Sequence, residues 1–277
     1  KESSSMKKTI GFIGSGNMGG AIIGGLVGSA LVAPNQVIVS SQDNESLQSL
    51  KDQYAIRIAD DNRQVAAEAD ILFLAVKPNI YNVVIDEIKT TVKEKIVIVT
   101  IAAGKSLSDI EERFGRKLKV VRAMPNTPAL VGEGMTGICA NEVVNVAELT
   151  DVKNIFASLG RSEMVSEYMM DAVTGVSGSS PALVFMFIES LADGAVRGGM
   201  PRQQAYKFAA QAVLGSAKMV LETGKHPGEL KDMVCSPGGT TIEAVAELEK
   251  NGFRSAVISA VQTTIDKSIA MSKPKEN

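Results

Sequence analysis

Thr9-Ile10-Gly11-Phe12-Ile13-Gly14-Ser15-Gly16-Asn17-Met18-Gly19 is the stretch that decides the fold. A short β-rich run feeds a turn with glycines at positions 14, 16 and 19, and a Gly- and Ala-rich helical pattern continues to about Ala30. This is the dinucleotide fingerprint in its required strand, turn and helix setting. Gly14 permits the turn, Gly16 lets a pyrophosphate approach the backbone, and Gly19 lets the helix pack closely on the sheet. Asn17 and Met18 fall where helical N–H groups lack internal partners and the helix dipole favours negative charge. A tight helix-packing turn uses the same glycines, so the pattern gains its meaning from the alternating strands and helices downstream.

Outward from the turn, Val37-Ile38-Val39-Ser40, Ile71-Leu72-Phe73-Leu74-Ala75-Val76, Ile96-Val97-Ile98-Val99 and Val120-Val121 are further apolar runs of strand length, with helical patterns between them. Runs so uniformly apolar belong in a mostly parallel sheet covered on both faces. At the end of the second strand, where an acid commonly holds an adenosine ribose, stand Ser40 and Ser41. They lie somewhat beyond the usual spacing of about 20 residues from the turn. Two hydroxyls donate to a 2′-phosphate that a carboxylate would repel, which favours NADPH. Asp43 close by, and the lack of an Arg beside Ser41, keep NADH open as an alternative.

Three segments come after successive strands: Ala75-Val76-Lys77-Pro78, Ala102-Ala103-Gly104 and Met124-Pro125-Asn126-Thr127-Pro128. Each taken singly is ordinary loop chemistry. Their shared place past strand ends favours a ligand crevice, with room for a nicotinamide ring and hydrogen bonds from Asn126. Lys77 is placed near the cofactor and given no proton-transfer role.

Beyond Gly137 the character changes. Residues 137–140 and 162–165 read as edge strands around a helix at 146–159, and beyond Glu167 the pattern is almost wholly helical. Ser177-Gly178-Ser179-Ser180 precedes Pro181 as a helix cap precedes a first-turn proline. Phe253, Val257, Val261, Ile265 and Ile269 make an i+4 apolar ridge that needs a partner. Between these helices, Ser236-Pro237-Gly238-Gly239-Thr240-Thr241 builds a turn that exposes backbone amides at a helix start, suited to a carboxylate and equally to a plain capped connection.

Composition narrows the class. The chain has 277 residues, of which 45% are hydrophobic, and a formal charge of -2 from 29 basic and 31 acidic residues. The length predicts two domains, 6–165 and 166–277. Near-neutrality argues against nucleic acid as a partner, and no basic run suits a membrane surface. No apolar stretch is expected to approach the roughly 20 residues that span a bilayer. Cys139 and Cys235 fit free thiols in a reducing cytoplasm. With one His, His226, read as a cap or surface residue, and no Cys pair, no metal is expected. Lys1-Glu2-Ser3-Ser4-Ser5 stands ahead of Met6 like an added leader, with Met6 as the expected native start.

The run from Pro227 to Glu247, with Ser236-Pro237-Gly238-Gly239 and Thr241 at its centre, resembles the signature of the pyrroline-5-carboxylate reductases. The segments after the strands match further family motifs, Asn62 matches a phosphate-side position, and the resemblance spans nearly the whole chain. It implies an α/β fold: an N-terminal Rossmann-like, mostly parallel sheet plus an all-α C-terminal dimerisation domain, in an obligate homodimer that can assemble further. It implies an NAD(P)H-dependent oxidoreductase that reduces 1-pyrroline-5-carboxylate to L-proline, the last step of proline biosynthesis. Ser236, Gly238, Gly239, Thr240 and Thr241 would hold the substrate, with Thr241 beside its ring nitrogen. Gly14, Gly16, Asn17, Met18, Gly19, Ser40, Ser41, Asn62, Ala75, Val76, Lys77, Pro78, Ala102, Ala103, Gly104 and Asn126 would hold the cofactor. Two other readings stay open: a different reductase on the same architecture, such as a β-hydroxyacid dehydrogenase, and a cofactor-sensing dimer without turnover. The hydroxyacid enzymes carry a helical Lys that the segment Pro181–Phe187 does not offer.

Overall fold

The structure, a computed structural model, describes residues 5–273, so Lys1–Ser4 of the expected leader lie outside the described residues. Eight strands form one sheet: β1 (Ile10–Ile13), β2 (Val37–Ser40), β3 (Arg57–Ile58), β4 (Ile71–Leu74), β5 (Val97–Thr100), β6 (Lys119–Met124), β7 (Gly134–Ala140) and β8 (Gly160–Met164). Their order is β3-β2-β1-β4-β5-β6-β7-β8. All neighbours pair in parallel except β6 and β7, where Met124 faces Gly137 in an antiparallel register. The expected Rossmann-like, mostly parallel sheet is therefore present.

Six helices pack with it: α1 (Asn17–Gly28), α2 (Asn44–Tyr54), α3 (Asn62–Glu68), α4 (Tyr81–Ile88), α5 (Leu107–Phe114) and α6 (Val146–Ala157). Ile22 and Leu26 of α1, Leu50 of α2 and Phe156 of α6 share one core with Phe12 and Phe73 of the sheet. Val65, Ile85 and Ile110 from α3, α4 and α5 share a second core with Ile38, Leu72 and Ile98. Every residue of β1, β2, β4 and β5 is buried, as strands covered on both faces must be. Phe12 stacks on Phe73 at 4.9 Å, and Phe156 meets Phe73 edge-on at 6.0 Å. Each such ring contributes about 1.5–3 kcal/mol by burial.

Side-chain caps start most of these helices. Asp43 accepts from Ser46 N, Asp61 from Gln64 N, and Ser106 and Asn145 form capping boxes with Asp109 and Glu148. The exceptions are α4, whose N-cap is Ile80, and α1, whose N-cap, Gly16, has no side chain to offer.

Three expectations need correction. The strand at 137–140 is not an edge: as β7 it lies between β6 and β8, because the 3-10 turn Thr127–Val131 folds it back beside β6. Nor do Ser177–Ser180 cap a fresh helix start ahead of Pro181. A 3-10 turn (Glu167–Met169), α7 (Met170–Val173), a π-helical turn (Thr174–Gly178) and α8 (Ser180–Arg197) run on as one helical stretch. Ser179 N donates to Thr174 O at 2.8 Å, the i−5 bond that carries the helix through the serines. The stretch Glu167–Arg197 is 31 residues long and contains an 18-residue window with a mean hydropathy of 1.3, long and apolar enough to cross a membrane by length and composition alone. The sequence expectation of no such stretch fails because the polar residues around Ser177 do not break the helix.

By contacts the chain divides into two compact units: residues through Ser179 together with those from Thr264 on, and Ser180–Thr263. The second holds α8, α9 (Arg202–Thr223), α10 (Pro227–Val234), α11 (Thr240–Lys250) and the first half of α12 (Phe253–Ser272). Within it α8 and α9 meet through buried Ala192, Ala205 and Ala209. Much of its apolar surface is uncovered: Met186 is 63% exposed and Phe208 62%. Leu183, Met186, Phe187, Leu248, Phe253 and Val257 line an apolar groove of about 710 Å³.

Candidate active site

The strand order reverses between β1 and β4, so the loops leaving their C-terminal ends diverge and open a crevice there. Gly14 sits at this point with φ of 106°. Its N–H donates to Ser40 O, and Ala75 N donates to Ile13 O, both at 2.8 Å. A Cβ at Gly14 would stand 2.5 Å from the Ala75 carbonyl oxygen, and one at Gly19 would stand 3.3 Å from Ala75 Cβ. A Cβ at Gly16 would meet nothing within 4 Å. Gly14 and Gly19 are thus fixed by the protein's own packing, whereas Gly16 leaves open space in front of uncapped first-turn amides. That arrangement fits a pyrophosphate.

Beside it lies a ring of small polar groups. Ser15 Oγ donates to Ser41 Oγ at 2.8 Å, and Asp43 N donates to the same oxygen at 3.1 Å. Ser40 Oγ donates to Asn62 Oδ1 at 2.7 Å, and Asn62 Nδ2 donates to Glu87 Oε2 at 3.0 Å. Ser46 Oγ donates to Ser15 O at 2.7 Å. Ser40 is buried and its proton is used on Asn62. Ser41 accepts twice, so its own proton is the one left to donate outward. Ser15, Ser46 and Glu87 were not singled out from the sequence. Ser15 had a signal, since it lies inside the fingerprint, but nothing near Glu87 marks it.

Farther along the sheet, Ala75 and Val76 follow β4 and are half-buried, and exposed Lys77 precedes the 3-10 turn Pro78–Ile80. Ala102 and Gly104 are buried past β5, with half-buried Ala103 between them. Asn126 follows β6, and its amide is largely taken up by the protein. Its Oδ1 accepts from Met135 N at 2.8 Å, and its Nδ2 donates to Ser177 O at 3.0 Å. One amide proton and one lone pair are left over.

The second unit holds the other turn. Pro237 and Gly238 follow exposed Ser236, Gly238 takes φ of 68°, and Gly239 N donates to Ser236 O at 3.1 Å. Gly239 is the N-cap of α11 and carries no side chain, so the amides of Thr240, Thr241 and Ile242 have no side-chain cap. A Cβ at Gly239 would stand 2.4 Å from Ser236 Oγ, so a larger residue there would turn that exposed hydroxyl aside. The geometry offers N–H donors and two hydroxyls to an anion. His226 caps α10 by accepting from Gly228 N at 2.9 Å. Among the described residues, no group of three His, Cys, Asp or Glu side chains is placed to hold a metal ion.

Sheet order, glycine turn and crevice define a dinucleotide-binding oxidoreductase fold of the doubly wound α/β class. Residues 9–104 match a family described as NADP oxidoreductase, coenzyme F420-dependent, and residues 167–271 match the pyrroline-5-carboxylate reductase dimerisation family. The pyrroline-5-carboxylate reductase of Escherichia coli strain K12 is 55% identical over 268 residues, covering 97% of this chain and 100% of that protein. Among solved structures, a pyrroline-5-carboxylate reductase from Coxiella burnetii superposes with a TM-score of 0.91 at 35% identity, over 97% of this chain and 100% of that one. The Plasmodium falciparum pyrroline carboxylate reductase, solved with NADP bound, gives 0.88 at 33% identity over 98% and 100%. The chain belongs to the pyrroline-5-carboxylate reductase family.

Proposed function

We propose that the protein is a pyrroline-5-carboxylate reductase, catalysing the last step of proline biosynthesis by reducing the C=N bond of 1-pyrroline-5-carboxylate to give L-proline. The observation that carries this reading is the 55% identity over 97% of the chain to a reductase of that name, joined to a fingerprint turn with open space at Gly16. NADPH, when bound, supplies the hydride. In this reading Gly14, Gly16, Asn17, Met18 and Gly19 bind the pyrophosphate. Ser41, supported by Ser40 and Asn62, binds the 2′-phosphate, a group that an acid there would repel. Ala75, Val76, Lys77, Pro78, Ala102, Ala103, Gly104 and Asn126 bound the nicotinamide end.

The substrate's carboxylate takes the uncapped amides at Gly239, Thr240 and Thr241, with Ser236 and Gly238 shaping the turn. Thr241 is the residue assigned to the reaction. Its hydroxyl is held by the first turn of α11 and accepts a hydrogen bond from the protonated ring nitrogen, or relays a proton from water to it. A protonated imine is the better electrophile, and holding it in place supplies the orientation on which much of the rate depends. No matched residue is a strong acid, so the substrate enters largely as the iminium.

The labour divides between residues 6–165, for the dinucleotide, and 166–277, for substrate and dimerisation. The exposed helical stretch Glu167–Arg197 and the groove around Phe187 and Phe253 are read as surfaces covered by a second copy, in line with the dimerisation family matched there. Further assembly beyond the homodimer, a cytoplasmic location, and the absence of membrane and nucleic-acid partners belong to the same reading. The free thiols Cys139 and Cys235 support the reducing compartment. The direct test monitors NADPH absorbance with 1-pyrroline-5-carboxylate. Consumption with formation of proline is expected; NADPH binding without consumption, or turnover only with a hydroxyacid substrate, would sink the reading.

A further inference from the structure

The phenol of Tyr81 occupies an unusual place. Its ring is buried among the core side chains beneath the second face of the sheet, and only 1% of the residue is exposed. Its hydroxyl donates to the Leu74 carbonyl oxygen at 2.5 Å and accepts from Thr100 Oγ1 at 3.1 Å. Leu74 and Thr100 are the last residues of β4 and β5, and they face each other as the final pair of that ladder. Past this pair the two chains separate into the loops at Ala75 and Ala102. Burial pushes the phenol up to about 12, while Thr100 and the amides of Ile101 and Ala102 act on the oxygen in the opposite sense. One neutral hydroxyl therefore engages both strand ends and the start of the second loop.

We infer that Tyr81 and Thr100 are positioning residues for the cofactor's nicotinamide end: their shared hydrogen bonds lock the spacing of the β4 and β5 loops. The inference rests on the proposed NADPH reading and extends it to two residues outside the crevice lining. The physical argument is one of satisfied groups. Without the hydroxyl, the Leu74 carbonyl loses the phenol's bond and the Thr100 hydroxyl loses its acceptor, both in the buried core, and the cheapest relief is a shift of one loop toward the other. The Ala75 side of that shift is constrained, because its N–H is bonded to Ile13 O and its carbonyl lies against Gly14. The movement falls on Ala102-Ala103-Gly104. A loop displaced by even an ångström alters a site that works by geometry.

Tyr81→Phe keeps the ring and removes only the hydroxyl. In the full-length enzyme, NADPH binding read by fluorescence is expected to weaken about 5- to 20-fold, with KM for NADPH rising in step and KM for the imino acid within about twofold. Thr100→Val should give the same defect, Thr100→Ser should restore binding, and the double variant should be no worse than either single one. A merely structural role would lower the melting temperature without separating the two KM values. NADPH affinity unchanged in both folded Tyr81→Phe and Thr100→Val overturns the inference. If Tyr81→Phe folds poorly, Thr100→Val and its serine rescue decide the matter. A wild-type chain that fails to bind NADPH overturns the cofactor reading and this inference together, whereas normal wild-type binding with insensitive variants overturns only this one.

Discussion

Asn126 and Ser177 are joined by a hydrogen bond from Asn126 Nδ2 to the Ser177 carbonyl oxygen at 3.0 Å. Four residues on from Ser177 stands Pro181, which has no N–H to return to that carbonyl as a helical residue would. The loop after β6 thus supplies a donor in place of the i+4 amide that Pro181 lacks. Asn126→Ala should leave this carbonyl and Met135 N without the Asn126 amide and cost about 2–6 kcal/mol, taking roughly 1–3 kcal/mol for each. Urea unfolding of the two proteins checks it; an unchanged midpoint would show that the bonds are dispensable.

The fingerprint glycines should separate by what fails. Gly16→Val faces open space and is expected to fold normally while losing most NADPH affinity. Gly14→Ala forces a Cβ to 2.5 Å from the Ala75 carbonyl at a φ of 106°, so it should destabilise by more than the roughly 1–3 kcal/mol of backbone strain alone. Thermal unfolding and NADPH titration of both variants report the two effects independently.

Thr241→Ala removes a hydroxyl from the first turn of an eleven-residue helix without touching its N-cap. One lost hydrogen bond to a charged group is about 1.5–3 kcal/mol, so kcat/KM should fall roughly 10- to 150-fold with the melting temperature nearly unchanged. Wild-type kinetics in the variant would remove Thr241 from the chemistry.

Stability should weaken at alkaline pH. Burial, and then Glu167, raise the Cys139 thiol from 9.0 to about 11, and burial raises the Tyr81 phenol from 10.0 to about 12. Both groups are neutral when protonated and titrate more readily in the unfolded chain. Their contribution is complete below pH 9 and is lost as pH rises through 9–11 for Cys139 and 10–12 for Tyr81. Urea midpoints between pH 8 and 11 should fall, and less steeply in Cys139→Ser over the first part of that range.

Met186 is 63% exposed in the single chain and lines the apolar groove. If a second copy covers that surface, Met186→Asp should yield a folded monomer by analytical ultracentrifugation, with reductase activity largely lost. A dimer of wild-type affinity in that variant would relocate the interface.

Much of the sheet was legible because its signal is local. The apolar runs around Phe12, Val39, Phe73 and Val99 state both their length and their double-sided burial, and Gly14 announces the turn between them. Less legible was whatever depends on partners far away in sequence. Residues 137–140 gave no sign that β8 would pair outside them, so an interior strand read as an edge. Ser177-Gly178-Ser179-Ser180-Pro181 has the composition of a cap, and only the bond from Ser179 N to Thr174 O reveals the continuous helix. In the crevice, glycines and serines could be read directly because small size and hydroxyl chemistry are intrinsic to the residue. Tyr81 and Glu87 could not, since their importance lies in which carbonyl or amide they reach after folding.

The polar corner at the end of β2 also sets the terms for any attempt to retool the enzyme toward NADH. A carboxylate installed at Ser41 would still receive Ser15 and Asp43, yet it would carry no proton to offer outward and would repel the phosphate that the proposed function places there. In that reading a designer can leave Ser15 in place, and coenzyme choice turns on the one proton that Ser41 has to give.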